Sequence, residues 1–176
     1  PSPYLRGGAD FHACNEVSIL RASASLVIDA PIQTVFEFVA NVENMDRWIN
    51  GVTEPKRTSE GDVGVGSTFE SYYTYAGKTQ RVVYRNVAFE PPTRIATEWT
   101  SGPFPFDAVT ELEASGGGTR ITHAIDAGPD NRAVAIWFVI FGLILRLLMR
   151  RQLKRELQTL KELLEDPVDH PPDPCP

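Results

Sequence analysis

Apolar and polar positions change rhythm three times along the chain. From Ile19 to Ile28 they alternate, with Leu20, Ala22, Ala24, Leu26 and Ile28 on one face, as in a half-buried strand. After Asp29 and Ala30, Pro31 suits the first position of a helix, where its missing N–H costs nothing. Ile32, Val35, Phe36 and Val39 follow at helical spacing, and a second short helix is predicted over Val42–Trp48, with Met45 and Trp48 on one side. From Gly51 to Ala127 the pattern is strands and turns: Ser67–Tyr75, Thr79–Phe89, Arg94–Thr100, Phe104–Glu113 and Thr119–Ala127. Ala76-Gly77-Lys78, Glu90-Pro91-Pro92 and Gly116-Gly117-Gly118 separate neighbouring strands, so the meander is antiparallel. The last rhythm is a long helix, Asn131–Glu165. Its face from Ala135 and Phe138 through Leu145, Met149 and Leu153 to Leu164 steps by three or four and would pack on the sheet. Helices segregated from an antiparallel sheet predict an α+β fold.

The start of that helix breaks the average. Ala133–Leu145 is thirteen consecutive apolar or glycine residues. A membrane span needs ~20, and a run of this length reads more often as a buried helix. Ile136, Ile140, Leu143 and Leu147 form a second apolar stripe on roughly the opposite side, where a surface helix would carry charge. Five basic residues, Arg146, Arg150, Arg151, Lys154 and Arg155, follow within ten positions. Three coverings are open for this stripe: the N-terminal segment or the curled sheet, a homodimer partner, or a peripheral membrane contact that includes Arg150 and Arg151.

The remaining composition narrows the classes. At 176 residues the chain suits one domain: 1–18 as an N-terminal extension, 19–165 as the domain, 166–176 as a disordered tail with five prolines. The net charge of −6 gives no global basic field for nucleic acid. Two cysteines, Cys14 and Cys175, exclude a disulfide scaffold, and His12, His123 and His170 show no metal-ligand spacing. No basic start followed by an apolar segment marks a signal peptide, so the expected location is cytoplasmic, with membrane association open. The glycine-rich Gly61–Gly66 lacks the lysine of a phosphate loop and reads as a connection into a strand.

Ala30-Pro31 with Val35-Phe36, Asn41 to Trp48, Gly64 and Gly66, Glu90-Pro91-Pro92-Thr93-Arg94, Gly118-Thr119-Arg120-Ile121-Thr122 and the closing leucine-rich helix occur in a specific order. In that order they resemble the START-like (SRPBCC) superfamily, in its polyketide cyclase/dehydrase and lipid-transport branch. Asn41 departs from the aspartate common there. The resemblance implies a helix-grip fold: a seven-stranded antiparallel sheet curled around the long C-terminal helix, with two short helices after the first strand. It also implies an apolar cavity between sheet and helix for a hydrophobic small molecule. The sequence carries no H-E-x-x-H, C-x-x-C or phosphate-loop motif, so no cofactor or metal is expected.

Candidate cavity residues are Phe36 and Trp48 from the short helices, and Phe69, Tyr73, Tyr84, Trp99, Phe106 and His123 from the strands. Phe138, Phe141, Leu145 and Met149 are the candidates from the long helix. His123 alternates with Ile121 and Ile125 and is the one weak catalytic candidate, since imidazole titrates near neutrality; as a core histidine it would need a single hydrogen bond. Glu70, Arg81, Arg85, Glu98 and Asp107 would pair across strands on the solvent face. Tyr72 and Tyr73 must point to opposite sides. Binding of a lipid- or polyketide-like molecule is the favoured function. A polyketide cyclase, aromatase or dehydratase and a membrane-associated lipid carrier are the alternatives.

Overall fold

The computed structural model describes residues 20–75, 77–102, 106–127 and 132–165, and for residues 20, 127 and 132–142 the backbone alone. The predicted N-terminal extension and proline-rich tail lie outside the described residues. Seven strands, β1 (Leu20–Ile28), β2 (Val52–Arg57), β3 (Thr68–Tyr75), β4 (Lys78–Glu90), β5 (Arg94–Ser101), β6 (Phe106–Ser115) and β7 (Gly118–Ala127), form one sheet. Its order is β1-β7-β6-β5-β4-β3-β2, with every neighbouring pair antiparallel. Helix α1 (Ile32–Ala40), a 3-10 turn (Val42–Asn44) and helix α2 (Met45–Trp48) follow β1, and α3 (Arg132–Glu165) closes the chain. This is the α+β helix-grip architecture that the sequence predicts.

Local chemistry sets the elements. Pro31 stands one residue ahead of its expected place, as the cap of α1 with extended backbone. Asn41 caps the 3-10 turn, its Oδ1 accepting the Glu43 N–H at 3.1 Å, a role aspartate would fill equally. Ser115 pairs with Gly118 across a two-residue turn, Gly116-Gly117, in which both residues have positive φ (62° and 97°). That is the backbone tight hairpins require, and glycine adopts it without penalty. A side chain at Gly118 would have no room: its Cβ would stand 2.4 Å from the Ile28 carbonyl oxygen.

The charged residues of the central strands lie outside. Glu70 pairs with Lys56 at 2.8 Å and with Arg81, and Arg85 pairs with Glu98. Exposed pairs of this kind contribute at most about 1 kcal/mol each, so they set register more than stability. Register shifts between Val83 and Tyr84 and between Asn86 and Ala88 bend the long β4 and help curl the sheet.

The core lies where α3 crosses the β1 side of the sheet. Leu153, Leu157 and Leu160 are buried with Ala22, Ala24, Ile28, Val35 and Phe36. Burying each leucine contributes about 1.5–3 kcal/mol. Lys161 Nζ donates to the Val27 carbonyl at 2.7 Å, which occupies an acceptor on the free edge of β1. Toward Leu145 and Met149 the same helix face is only partly buried, and the space there is a cavity.

Candidate functional site: the cavity between sheet and long helix

The curl of β3 to β7, the short helices and α3 line a cavity of about 330 Å³. Strand alternation selects its wall. On β3 the inward phase is Phe69, Ser71 and Tyr73, which leaves Tyr72 exposed. On β4 it is Val82, Tyr84 and Asn86, opposite the outward Arg81 and Arg85. Phe106, Ala108 and Thr110 of β6 and His123 and Ile125 of β7 continue the wall. Met45 and Trp48 close it from α2, and Leu145, Met149, Gln152 and Glu156 close it from α3.

Of the residues expected from sequence, Trp48, Phe69, Tyr73, Tyr84, Phe106, His123, Leu145 and Met149 share this one cavity. Phe36 lies behind the wall, its ring 5.5 Å from that of Phe89, which does line the space. Trp99 also stands outside the lining. Its ring packs edge-on against Phe106 at 4.5 Å and fills the space over Gly102, where a Cβ would meet it at 1.9 Å. The side chains of Phe138 and Phe141 lie outside the described residues, as do those of Ile136 and Ile140.

Two polar clusters interrupt the apolar wall. His123 Nδ1 and Thr110 Oγ1 are 2.8 Å apart, and the Trp48 ring stands edge-on to the imidazole at 5.7 Å. Burial strips the imidazole of water and lowers its pKa to about 4, so at neutral pH it is uncharged. On the helix side, Gln152 Nε2 donates to Glu156 Oε1 at 2.9 Å and to the Tyr73 hydroxyl at 3.3 Å. Glu156 is only 4% exposed. Burial raises its pKa, and hydrogen bonds from Gln152 and the Asn50 backbone partly oppose the shift. The Tyr84 hydroxyl donates to Met45 Sδ at 3.3 Å, and desolvation pushes its pKa upward. These three buried groups are thus each held neutral or shifted toward the neutral form.

Gln152 and Glu156 are not among the residues expected from sequence, because polar residues of a helix ordinarily face outward. Their spacing carries the signal: Leu145, Met149, Gln152 and Glu156 step by four, three and four, the phase of the buried face. Ser71, Asn86 and Thr110 follow in the same way from the alternation of Tyr73, Tyr84 and Phe106.

Known proteins share the family and the fold. The family described as polyketide cyclase / dehydrase and lipid transport matches residues 20–165. The chain belongs to that family. Three solved structures share its fold. One is the protein TTHA0849 from Thermus thermophilus, at 17% identity and TM-score 0.67, covering 81% of this chain and 94% of that one. A START superfamily protein from Mycobacterium smegmatis has 14% identity and TM-score 0.66, with 82% and 97% covered. The di-domain ARO/CYC StfQ from the steffimycin biosynthetic pathway has 14% identity and TM-score 0.68, with 83% of this chain and 51% of that one covered. A search of curated proteins finds no match. Among the described residues of this family member no helix is long and apolar enough to cross a membrane.

Proposed function

We propose that the protein binds an uncharged, mainly apolar small molecule that carries one or two hydroxyl or carbonyl groups. The observation behind this reading is the wall itself: apolar over most of its area, with His123 neutral and Glu156 biased toward its protonated form. Such a wall removes ligand surface from water, at ~25 cal/mol per Å². Thr110, His123, Gln152 and Tyr73 then offer hydrogen bonds that fix orientation without desolvating a charge. An anionic ligand head would meet no cation among the described lining residues and would stand near the Glu156 carboxyl. The preference therefore runs from neutral alcohol or ketone to carboxylate of the same skeleton.

Native mass spectrometry and solvent extraction of the purified chain test this. The expected result is a co-purifying neutral molecule, or uptake of a long-chain alcohol in preference to the matching fatty acid. A protein that takes up neither, or prefers the acid, would overturn the reading.

A second reading rests on a separate observation: two titratable side chains, His123 and Glu156, line the same cavity. Neutral imidazole can accept a proton and a protonated carboxyl can donate one. That pairing suits dehydration or cyclisation of a polyketide-like chain, in which a C–H proton leaves to a base and a hydroxyl departs as water. Conversion of a reduced poly-β-keto thioester, lost in both His123→Phe and Glu156→Gln, would favour this reading over simple binding.

A further inference from the structure

The outward face of α3 is unlike the rest of the surface. Leu143 is 72% exposed, Ile144 58%, Leu147 52% and Leu148 53%. Half of the expected second stripe is thus exposed, and Ile144 and Leu148 widen it beyond that expectation. At 100° per residue, Arg150, Arg151, Lys154 and Arg155 continue the same outward face over the next two turns. All four are exposed, and among the described residues none forms a salt bridge. The segment from Arg132 to Arg155 holds six of the chain's 17 basic residues and none of its 23 acidic ones. An acidic protein has concentrated its positive charge beside its exposed leucines.

We propose that this face docks on an anionic lipid surface, with Leu143, Ile144, Leu147 and Leu148 in the acyl boundary and Arg150, Arg151, Lys154 and Arg155 on the headgroups. Exposed leucines beside a basic cluster combine the apolar burial and the headgroup attraction that hold a helix at a membrane interface. Charge complementarity selects this occupant over a second copy. A second copy of this face would offer no acidic residue from the segment 132–155 to pair with the basic turns. The position also gives the contact a use. Arg151 and Arg155 line a groove together with Trp48, Gln152 and Glu156, and those last three also line the cavity. A docked bilayer would therefore face a groove that shares three wall residues with the cavity. The docking itself does not depend on the ligand reading, because binding to vesicles and occupancy of the cavity are measured separately.

Co-sedimentation of the full chain with vesicles of phosphatidylcholine, alone or mixed with phosphatidylglycerol, is the test. The protein should pellet with the mixed vesicles and not with phosphatidylcholine alone, and salt should release it. Each basic residue near such a surface contributes about fivefold in affinity, so Arg150→Gln with Arg151→Gln should weaken binding about 30-fold. Leu143→Ser with Leu147→Ser should release the protein even at low salt. All four residues are exposed, so the variants should keep the wild-type melting temperature. Failure of the wild type to bind mixed vesicles would overturn the proposal, as would binding that both double variants leave unchanged. So would a stable dimer in sedimentation velocity that Leu143→Ser with Leu147→Ser disperses.

Discussion

Thr110 Oγ1 and His123 Nδ1 meet at 2.8 Å across the β6–β7 ladder, where the two residues are register partners. Both side chains lie on the inward face and both are buried. This hydrogen bond satisfies one ring nitrogen and fixes the imidazole against the Trp48 edge. It provides no counter-charge, so the site holds the neutral ring.

That relationship sets a pH dependence. The folded pKa of His123, lowered to about 4 by burial, lies below its ordinary value of 6.5. Between these values the unfolded chain binds a proton that the folded chain does not. Stability is therefore full above pH 6.5 and falls as the pH drops toward 4, by up to about 3 kcal/mol from this group. Denaturant unfolding of wild type and His123→Gln at steps across the window isolates the contribution. The difference between them should shrink or reverse as pH falls; a constant difference would contradict the assignment.

Glu156 should act in the opposite sense. Its pKa is raised mainly by burial, so the stability linked to its proton is present below its ordinary 4.5 and is lost as pH rises through the folded value. Glu156→Gln keeps an acceptor oxygen for the Asn50 N–H and Gln152 and removes the charge. The variant should be more stable than wild type in urea at pH 7 and close to it near pH 4. Equal losses at both pH values would mean that the carboxylate is needed for packing or hydrogen bonding.

How far the sequence foretold this molecule depends on how pure each periodicity is. β1 and the second half of α3 carry a single rhythm, and both elements lie within one residue of their expected bounds. β2 has no such rhythm. Pro55 interrupts it, Glu54 adopts φ 50°, and the pairing with β3 shifts between Thr53 and Lys56. The inward phase of β3 and β4 is not fixed by the sequence, because apolar and polar residues occupy both faces. The ion pairs of Glu70, Arg81, Arg85 and Glu98 decide it by holding one phase in water. Phe69, Tyr73 and Tyr84 were legible as wall because aromatics seek burial, whereas Glu156 was hidden because a buried carboxyl violates the rule that reads helix faces.

Two leucines of α3, ten residues apart, should respond very differently to truncation. Leu157 is 1% exposed and belongs to the buried cluster that includes β1 and α1 residues. Leu157→Ala removes buried methyl groups and leaves a void, at a cost of about 2–5 kcal/mol. Leu147 is 52% exposed, and Leu147→Ala should change stability by no more than about 0.5 kcal/mol. Chemical denaturation of both variants checks the contrast, and a large loss at Leu147 would mean that something covers it.

The cavity can be filled without touching its polar groups. Ala108 projects inward from β6 between Phe106 and Thr110, and its register partners Thr97 and Ile125 also line the space. Ala108→Leu would place three more carbons in empty volume. Filling a void in this way restores contacts that its lining lacks, so stability should hold or rise by about 1 kcal/mol. Binding of any occupant should weaken by about tenfold or more, since the added atoms compete for the same space. Thermal unfolding and titration with a neutral apolar probe separate the two effects. A variant that is stable yet binds as wild type would move the binding site elsewhere, whereas one that loses stability would show that this part of the wall is already tightly packed.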